Sequence, residues 1–187
     1  MKKFELTNEF VTNMFGTKLF RIRALVEFGD VEAGELGGYV EKESNLGHDD
    51  NAWVYGDARV YDNARVYDNA RVYGDAQVSG DARVYDNARV YGDAWVYGNA
   101  RVCGDALVCG DARVCGNGDY AYAHGFGSVN RTTTFFRLKD GGVGVRCGCF
   151  YGTLAQFRDK IRETHGETKK AQEYLMLADL MKLRFEK

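Results

Sequence analysis

Residues 52–117 read AWVYGD ARVYDN ARVYDN ARVYGD AQVSGD ARVYDN ARVYGD AWVYGN ARVCGD ALVCGD ARVCGN, eleven hexads without a break. Ala stands at 52, 58, 64, 70, 76, 82, 88, 94, 100, 106 and 112, and Val follows each two residues later, from Val54 to Val114. A six-residue period kept from Ala52 to Asn117 marks a repeat architecture. Within each hexad Ala-x-Val alternates with period two, the pattern of a short strand with both small apolar residues on one face. The Gly-Asp, Asp-Asn or Gly-Asn pair that follows is turn chemistry, so the chain bends once per hexad. The residues flanking Val, mostly Arg and Tyr, then point outward.

This unit resembles the hexapeptide repeat of left-handed parallel β-helices, with an aliphatic residue at one position and a small residue two before it. The resemblance implies three hexads per triangular coil, so the eleven hexads make about 3.7 coils, roughly 18 Å tall at about 4.8 Å between strands. Strict six-residue spacing sets this coil apart from a right-handed solenoid or a square pentapeptide coil. Val40 and Leu46 are also six apart, which extends the repeat upstream by half a coil, with a two-residue insertion near His48-Asp49-Asp50.

A bare coil end exposes unpaired strand edges and Val side chains, so each end requires a cap. The chain accordingly divides into an N-terminal β cap (1–37), the β-helix (38–119) and a C-terminal module (120–187), mainly β overall. Residues 2–7 and the alternating run from Lys18 to Leu25 read as cap strands. Thr132 to Arg137 and Val143 to Phe150, either side of Lys139-Asp140-Gly141-Gly142, read as a hairpin. Thr153 and Gln156 form a capping box ahead of a helix with Leu154, Phe157 and Ile161 on one face, closed by Gly166. A last helix over about 168–185 makes the module ββαα. It carries Ala171, Tyr174, Ala178, Met181 and Phe185 on one stripe and Met176, Leu177, Leu180 and Leu183 on a second. The second stripe calls for another partner, either a deeper seat in its own domain or the same helix of a neighbouring chain.

The order of FRIRAL (20–25), GDVEAGELGGYV (29–40), the hexads, TTTFFRLKDGGVGVRCGCFYGTL (132–154) and an EYL helix (173–175) also resembles uncharacterised hexapeptide-repeat proteins of phage and prophage genomes. That resemblance implies an accessory or counter-defence setting. Hexapeptide-repeat proteins are commonly trimers, which implies a homo-oligomer with a trimer favoured.

At 45% hydrophobic residues the chain is too apolar for a disordered class, and no run approaches the roughly 20 apolar residues of a membrane span. Glu5 and Glu9 fall where a secretory h-region would lie, so a cytoplasmic protein with its five cysteines reduced is expected. Residues 118–187 hold 12 basic and 8 acidic side chains and the remainder 13 and 19, giving +4 against −6. A charge of +4 is too small to argue for duplex DNA.

If three hexads close a coil, outward residues three hexads apart stack in ladders. One face then carries Arg65, Arg83 and Arg101 beside Tyr67, Tyr85 and Cys103. A second carries Arg59, Gln77, Trp95 and Arg113 beside Tyr61, Ser79, Tyr97 and Cys115, and a third Trp53, Arg71, Arg89 and Leu107 beside Tyr55, Tyr73, Tyr91 and Cys109. Guanidinium groups about 4.8 Å apart repel one another until an anion joins them, and arginine beside aromatic faces suits a phosphate with a base attached. Arg65, Arg83, Arg101, Tyr67, Tyr85 and Trp95 are therefore the candidate ligand-binding residues for an anionic nucleotide-like molecule. The same pattern also serves simply to cover sheet with long amphipathic side chains.

Asp57, Asp75, Asp93 and Asp111 share a corner, each after a Gly, where each carboxylate is expected to accept its own turn's N–H rather than hold a metal. The cysteines at 103, 109 and 115 fall on three faces, and no zinc spacing is present; neither metal nor cofactor is expected. Many hexapeptide-repeat proteins are acyl-CoA transferases, which need a His base near a loop that breaks the coils. The hexads contain no His and no such loop, leaving His124 in AYAHGFGS as the one candidate. The chain thus reads as a non-enzymatic binder that, in a phage setting, sequesters a nucleotide immune signal. The alternatives are an acyl-CoA-dependent acyltransferase and a structural scaffold.

Overall fold

The computed structural model describes residues 2–127 and 130–186. Eleven two-residue strands follow the hexads: β4 (Trp53–Val54), β5 (Arg59–Val60), β6 (Arg65–Val66), β7 (Arg71–Val72), β8 (Gln77–Val78), β9 (Arg83–Val84), β10 (Arg89–Val90), β11 (Trp95–Val96), β12 (Arg101–Val102), β13 (Leu107–Val108) and β14 (Arg113–Val114). Each pairs in parallel with a strand three hexads away, as Arg65↔Arg83 and Arg71↔Arg89. The chain therefore winds a β-solenoid of about four turns around three parallel sheets, β5-β8-β11-β14, β4-β7-β10-β13 and β6-β9-β12. Every repeat Ala and Val is fully buried. Backbone bonds from turn to turn, such as Arg83 N–H to the Ala100 carbonyl at 2.9 Å, satisfy the polar groups that line this narrow core. The chain turns at positive φ, taken by Gly56, Gly74, Gly92 and Gly110 at one corner and by Asp62, Asp68 and Asp86 elsewhere.

The N-terminal cap is β1 (Phe4–Thr12), β2 (Lys18–Ala24) and β3 (Leu36–Val40), with β1 running well past the segment 2–7 expected from the sequence. β1 and β2 pair antiparallel and β3 joins them, then pairs in parallel with β5, so the cap continues one solenoid sheet. Gly37 and Gly38 permit this passage: a Cβ on either would lie 2.6 Å from a carbonyl oxygen, that of Val54 or Ala58. Leu46 bridges to Val66, so the half-coil from Val40 to Leu46 forms, and the insertion after it is closed by Lys3 N–H to His48 Nδ1 at 3.2 Å.

The C-terminal hairpin is the middle of a larger sheet. β15 (Tyr120–Phe126), β16 (Arg131–Arg137), β17 (Val143–Cys147) and β18 (Phe150–Thr153) form an antiparallel meander ahead of α1 (Leu154–His165) and α2 (Lys169–Phe185). The order is ββββαα rather than ββαα. β15 lacks clean alternation and β18 is short, so neither stood out from the flanking loops. This sheet is buried on both faces: Phe136 joins the solenoid core, while its neighbour Phe135 packs with Val145, Phe157 and Ile161 under the helices. The Thr153–Gln156 capping box forms as read, and Gly166 ends α1. Among the described residues no helix is long and apolar enough to cross a membrane.

Candidate functional site

The expected Arg65, Arg83 and Arg101 ladder forms on one sheet, in register and exposed. Tyr67 and Tyr85 stack on it with centroids 5.1 Å apart and planes 1° from parallel. The two faces that meet are spent on each other, and the Cys103 thiol beside the Tyr85 hydroxyl pushes that phenol up to about 12. Trp95 lies in a different sheet from these arginines, its Nε1 donating to Ser79 Oγ at 2.9 Å and its ring tilted on Tyr97. The six residues named from the sequence thus lie on two flat faces.

A concave site lies on the third face. A cleft of about 510 Å3 is lined by Asn87, Arg89, Asp105 and Leu107 of the solenoid and by Arg131, Thr132 and Gly148 of the C-terminal sheet. That volume lies in the range of small-molecule sites. The last coil fixes the geometry: Leu107 N–H donates to Thr134 Oγ1 at 2.9 Å, Lys139 N–H to the Asp111 carbonyl at 3.0 Å, and Ala112 bridges Leu138. Once Thr134 is pinned to β13, the start of β16 overhangs the solenoid face and brings Arg131 towards Arg89. The Arg131 guanidinium lies against Gly148, where any side chain would displace it.

Among the described residues neither Arg89 nor Arg131 has an acidic partner within ion-pair distance. Asp105, the one carboxylate lining the cleft, accepts from Asn87 Nδ2 at 3.2 Å. Arg146 stands close by, its guanidinium 6.0 Å from the centre of the Tyr91 ring. Two guanidinium groups from separate modules, with no carboxylate paired to either, are suited to an oxyanion. The sequence reading missed this pair because Arg131 belongs to another module. The signals available were the +4 charge of residues 118–187 and, within it, the basic Arg131, Arg137, Lys139 and Arg146 that make the hairpin anion-attracting.

The aspartate corner differs from expectation. Asp57, Asp75, Asp93 and Asp111 accept no backbone N–H among the described hydrogen bonds. Instead Asp62, Asp68 and Asp86 accept from Gly80, Asp86 and Gly104 one turn further on, at 3.0–3.3 Å. The corner carboxylates thus tie turn to turn. Among the described residues no three of His, Cys, Asp and Glu gather as a metal group.

Segments 64–80, 76–92, 82–98, 94–110 and 100–116 match the family model of the YdcK beta solenoid repeat, all inside the solenoid. No curated protein matches the chain.

Proposed function

We propose that this protein is a non-enzymatic binding protein that holds an anionic, nucleotide-like small molecule in the cleft between the solenoid and the C-terminal sheet. The convergence of Arg89 and Arg131 on one cleft of about 510 Å3 carries this reading. The side chains stand on strands whose backbone is already ordered, so little conformational freedom is lost on binding. Left-handed winding, three hexads to a turn and a homotrimeric assembly belong to the same proposal, supported by the likeness to hexapeptide-repeat proteins. Sequestration of a nucleotide immune signal as a phage-type accessory protein is the role that likeness favours.

Native mass spectrometry of the protein purified from cells, followed by titration with cyclic and ADP-ribose-type nucleotides, tests the reading. Each charge-assisted contact contributes about 1.5–3 kcal/mol, so Arg89→Gln with Arg131→Gln is expected to weaken binding at least a hundredfold. Arg65→Glu with Arg83→Glu and Arg101→Glu should leave it within about twofold. An apo protein that ignores the whole panel, or the reverse order of the two variants, overturns the cleft.

One observation favours a second reading, acyl transfer from an acyl-CoA: His124 Nδ1 lies 2.9 Å from Oγ1 of Thr132, a cleft-lining residue. Thiol release from acetyl-CoA with an amine acceptor, lost in His124→Asn, would establish it.

A further inference from the structure

Tyr55, Tyr73 and Tyr91 follow Val in β4, β7 and β10 and so occupy successive rungs of the face that carries the cleft. The step from Tyr73 to Tyr91 is closed, the rings stacking at 4.8 Å with planes 2° from parallel. The step from Tyr55 to Tyr73 is not: these two form no stacked pair among the described residues. A groove of about 280 Å3 lies there instead, lined by Asp30, Tyr55, Arg71, Tyr73 and Arg89.

Asp30 keeps that step open. Tyr55 Oη donates to its Oδ1 at 3.0 Å and Arg71 Nη1 to its Oδ2 at 2.8 Å, drawing the Tyr55 phenol to the cap and away from the next rung. The cap holds Asp30 firmly, because Phe28 and Val31 on either side of its turn exchange two backbone hydrogen bonds and Phe28 packs edge-on against Trp53 at 5.3 Å. Burial pushes the Asp30 carboxyl up, and the hydrogen bonds from Tyr55 and Arg71 outweigh it, so the group stays ionised. The Asp30–Arg71 pair neutralises one arginine of the ladder and leaves Arg89 to meet an anion. Arg89 lines this groove and the cleft alike, so the two voids share one residue.

We infer, on the cleft reading above, that Tyr73 is the stacking platform for the aromatic base of the ligand, held open by Tyr55 and Asp30, and that the ligand is a mononucleotide-type molecule with its phosphate between Arg89 and Arg131. The groove spans the rungs of Tyr55, Tyr73 and Arg89 and the cleft those of Arg89 and Leu107, so a base on Tyr73 and a phosphate at Arg89 lie one to two rungs apart, about 5–10 Å along the solenoid. Stacking on a tyrosine face is tolerant of base identity.

Calorimetric titration of the full chain with adenosine 5′-monophosphate, ribose 5-phosphate and adenosine separates the two halves. The nucleotide is expected to bind about tenfold to a hundredfold more tightly than ribose 5-phosphate, the range that base stacking supplies. Tyr73→Leu brings the nucleotide down to the ribose 5-phosphate level and leaves ribose 5-phosphate unchanged. Asp30→Ala keeps Tyr73 but frees Tyr55 to close over it, and has the same effect even if Tyr73→Leu fails to fold. Equal affinities for the nucleotide and ribose 5-phosphate in the wild type, or a nucleotide affinity untouched by the folded variants, overturn the platform and leave the cleft standing. Adenosine binding that needs Tyr73, with no phosphate preference, supports the platform and overturns the cleft. No binding of any of the three at millimolar concentration overturns both.

Discussion

Lys3 joins the N-terminal cap to the first coil through one ammonium group. Its Nζ donates to the carbonyls of Asp49, Asp50 and Ala52 at 3.5, 3.3 and 2.9 Å, and the residue is 3% exposed. Burial lowers its pKa from 10.5 to about 8, against the pull of Asp50 and Asp49. Between those two values the unfolded chain binds more protons than the folded one, so this lysine makes stability rise with pH there. Tyrosines act in the opposite sense: burial raises Tyr55 from 10.0 to about 12, so its contribution is complete below pH 10 and is lost as pH climbs through 12. Thermal unfolding followed by circular dichroism is expected to show a midpoint rising between about pH 8 and 10 and falling above it. Lys3→Met removes the rise, since it takes away both the buried charge and the donor to the Asp49, Asp50 and Ala52 carbonyls. An unchanged pH profile in Lys3→Met would assign the rise to other groups. Lys3 carries no mark in the sequence, since MKKFEL reads as an ordinary charged terminus. Its role arises where the chain doubles back and lays Asp49, Asp50 and Ala52 against its N-terminus.

Among the elements, α2 shows how far helical periodicity carries. Ala171, Tyr174, Ala178, Met181 and Phe185 are all buried, as their spacing predicts, because they share the face that meets α1 and the sheet. The second stripe divides: Leu177 turns inward with the first, while Met176, Leu180 and Leu183 are 71, 57 and 69% exposed. The deeper seat within its own domain is therefore taken by one residue of the four, and three large apolar side chains face outward in a row. Under the proposed trimer this stripe lies at the contact between chains. Light scattering is then expected to give a trimer for the native chain and a monomer for Met176→Gln with Leu180→Gln and Leu183→Gln, with helix content unchanged. A trimer that survives the triple change would place the contact elsewhere. In β16, Phe135 and Phe136 read only as apolar strand, and each proves to serve a different core because the sheet is covered on both sides.

For the whole molecule, the two caps make a repeat stack into a closed body. Phe136 is fully buried against the last coil and the Ala112–Leu138 bridge covers its edge. Removing residues 120–187 would expose β14 and the open end of the Val column. The truncated chain is expected to aggregate through edge pairing, whereas Phe136→Ala in the full chain should stay soluble and lose about 3–5 kcal/mol in denaturant unfolding. A soluble, monomeric truncated chain would show the solenoid to be self-sufficient. The solenoid itself was legible from residues 52–117 because its information is periodic and local: each hexad states its own strand, its own turn and its two inward residues. Given three strands per turn, the Arg and Tyr ladders follow by counting. Nothing in that count separates Arg89 from Arg65, Arg83 or Arg101, since all four stand between the Ala and Val of near-identical hexads. Arg89 differs because Arg131 of the C-terminal sheet overhangs it, and because Asp30 of the N-terminal cap holds Tyr55 off the ring of Tyr73. A periodic surface is flat until aperiodic segments fold back over it, and where they land depends on the packing of both caps, which no local pattern encodes.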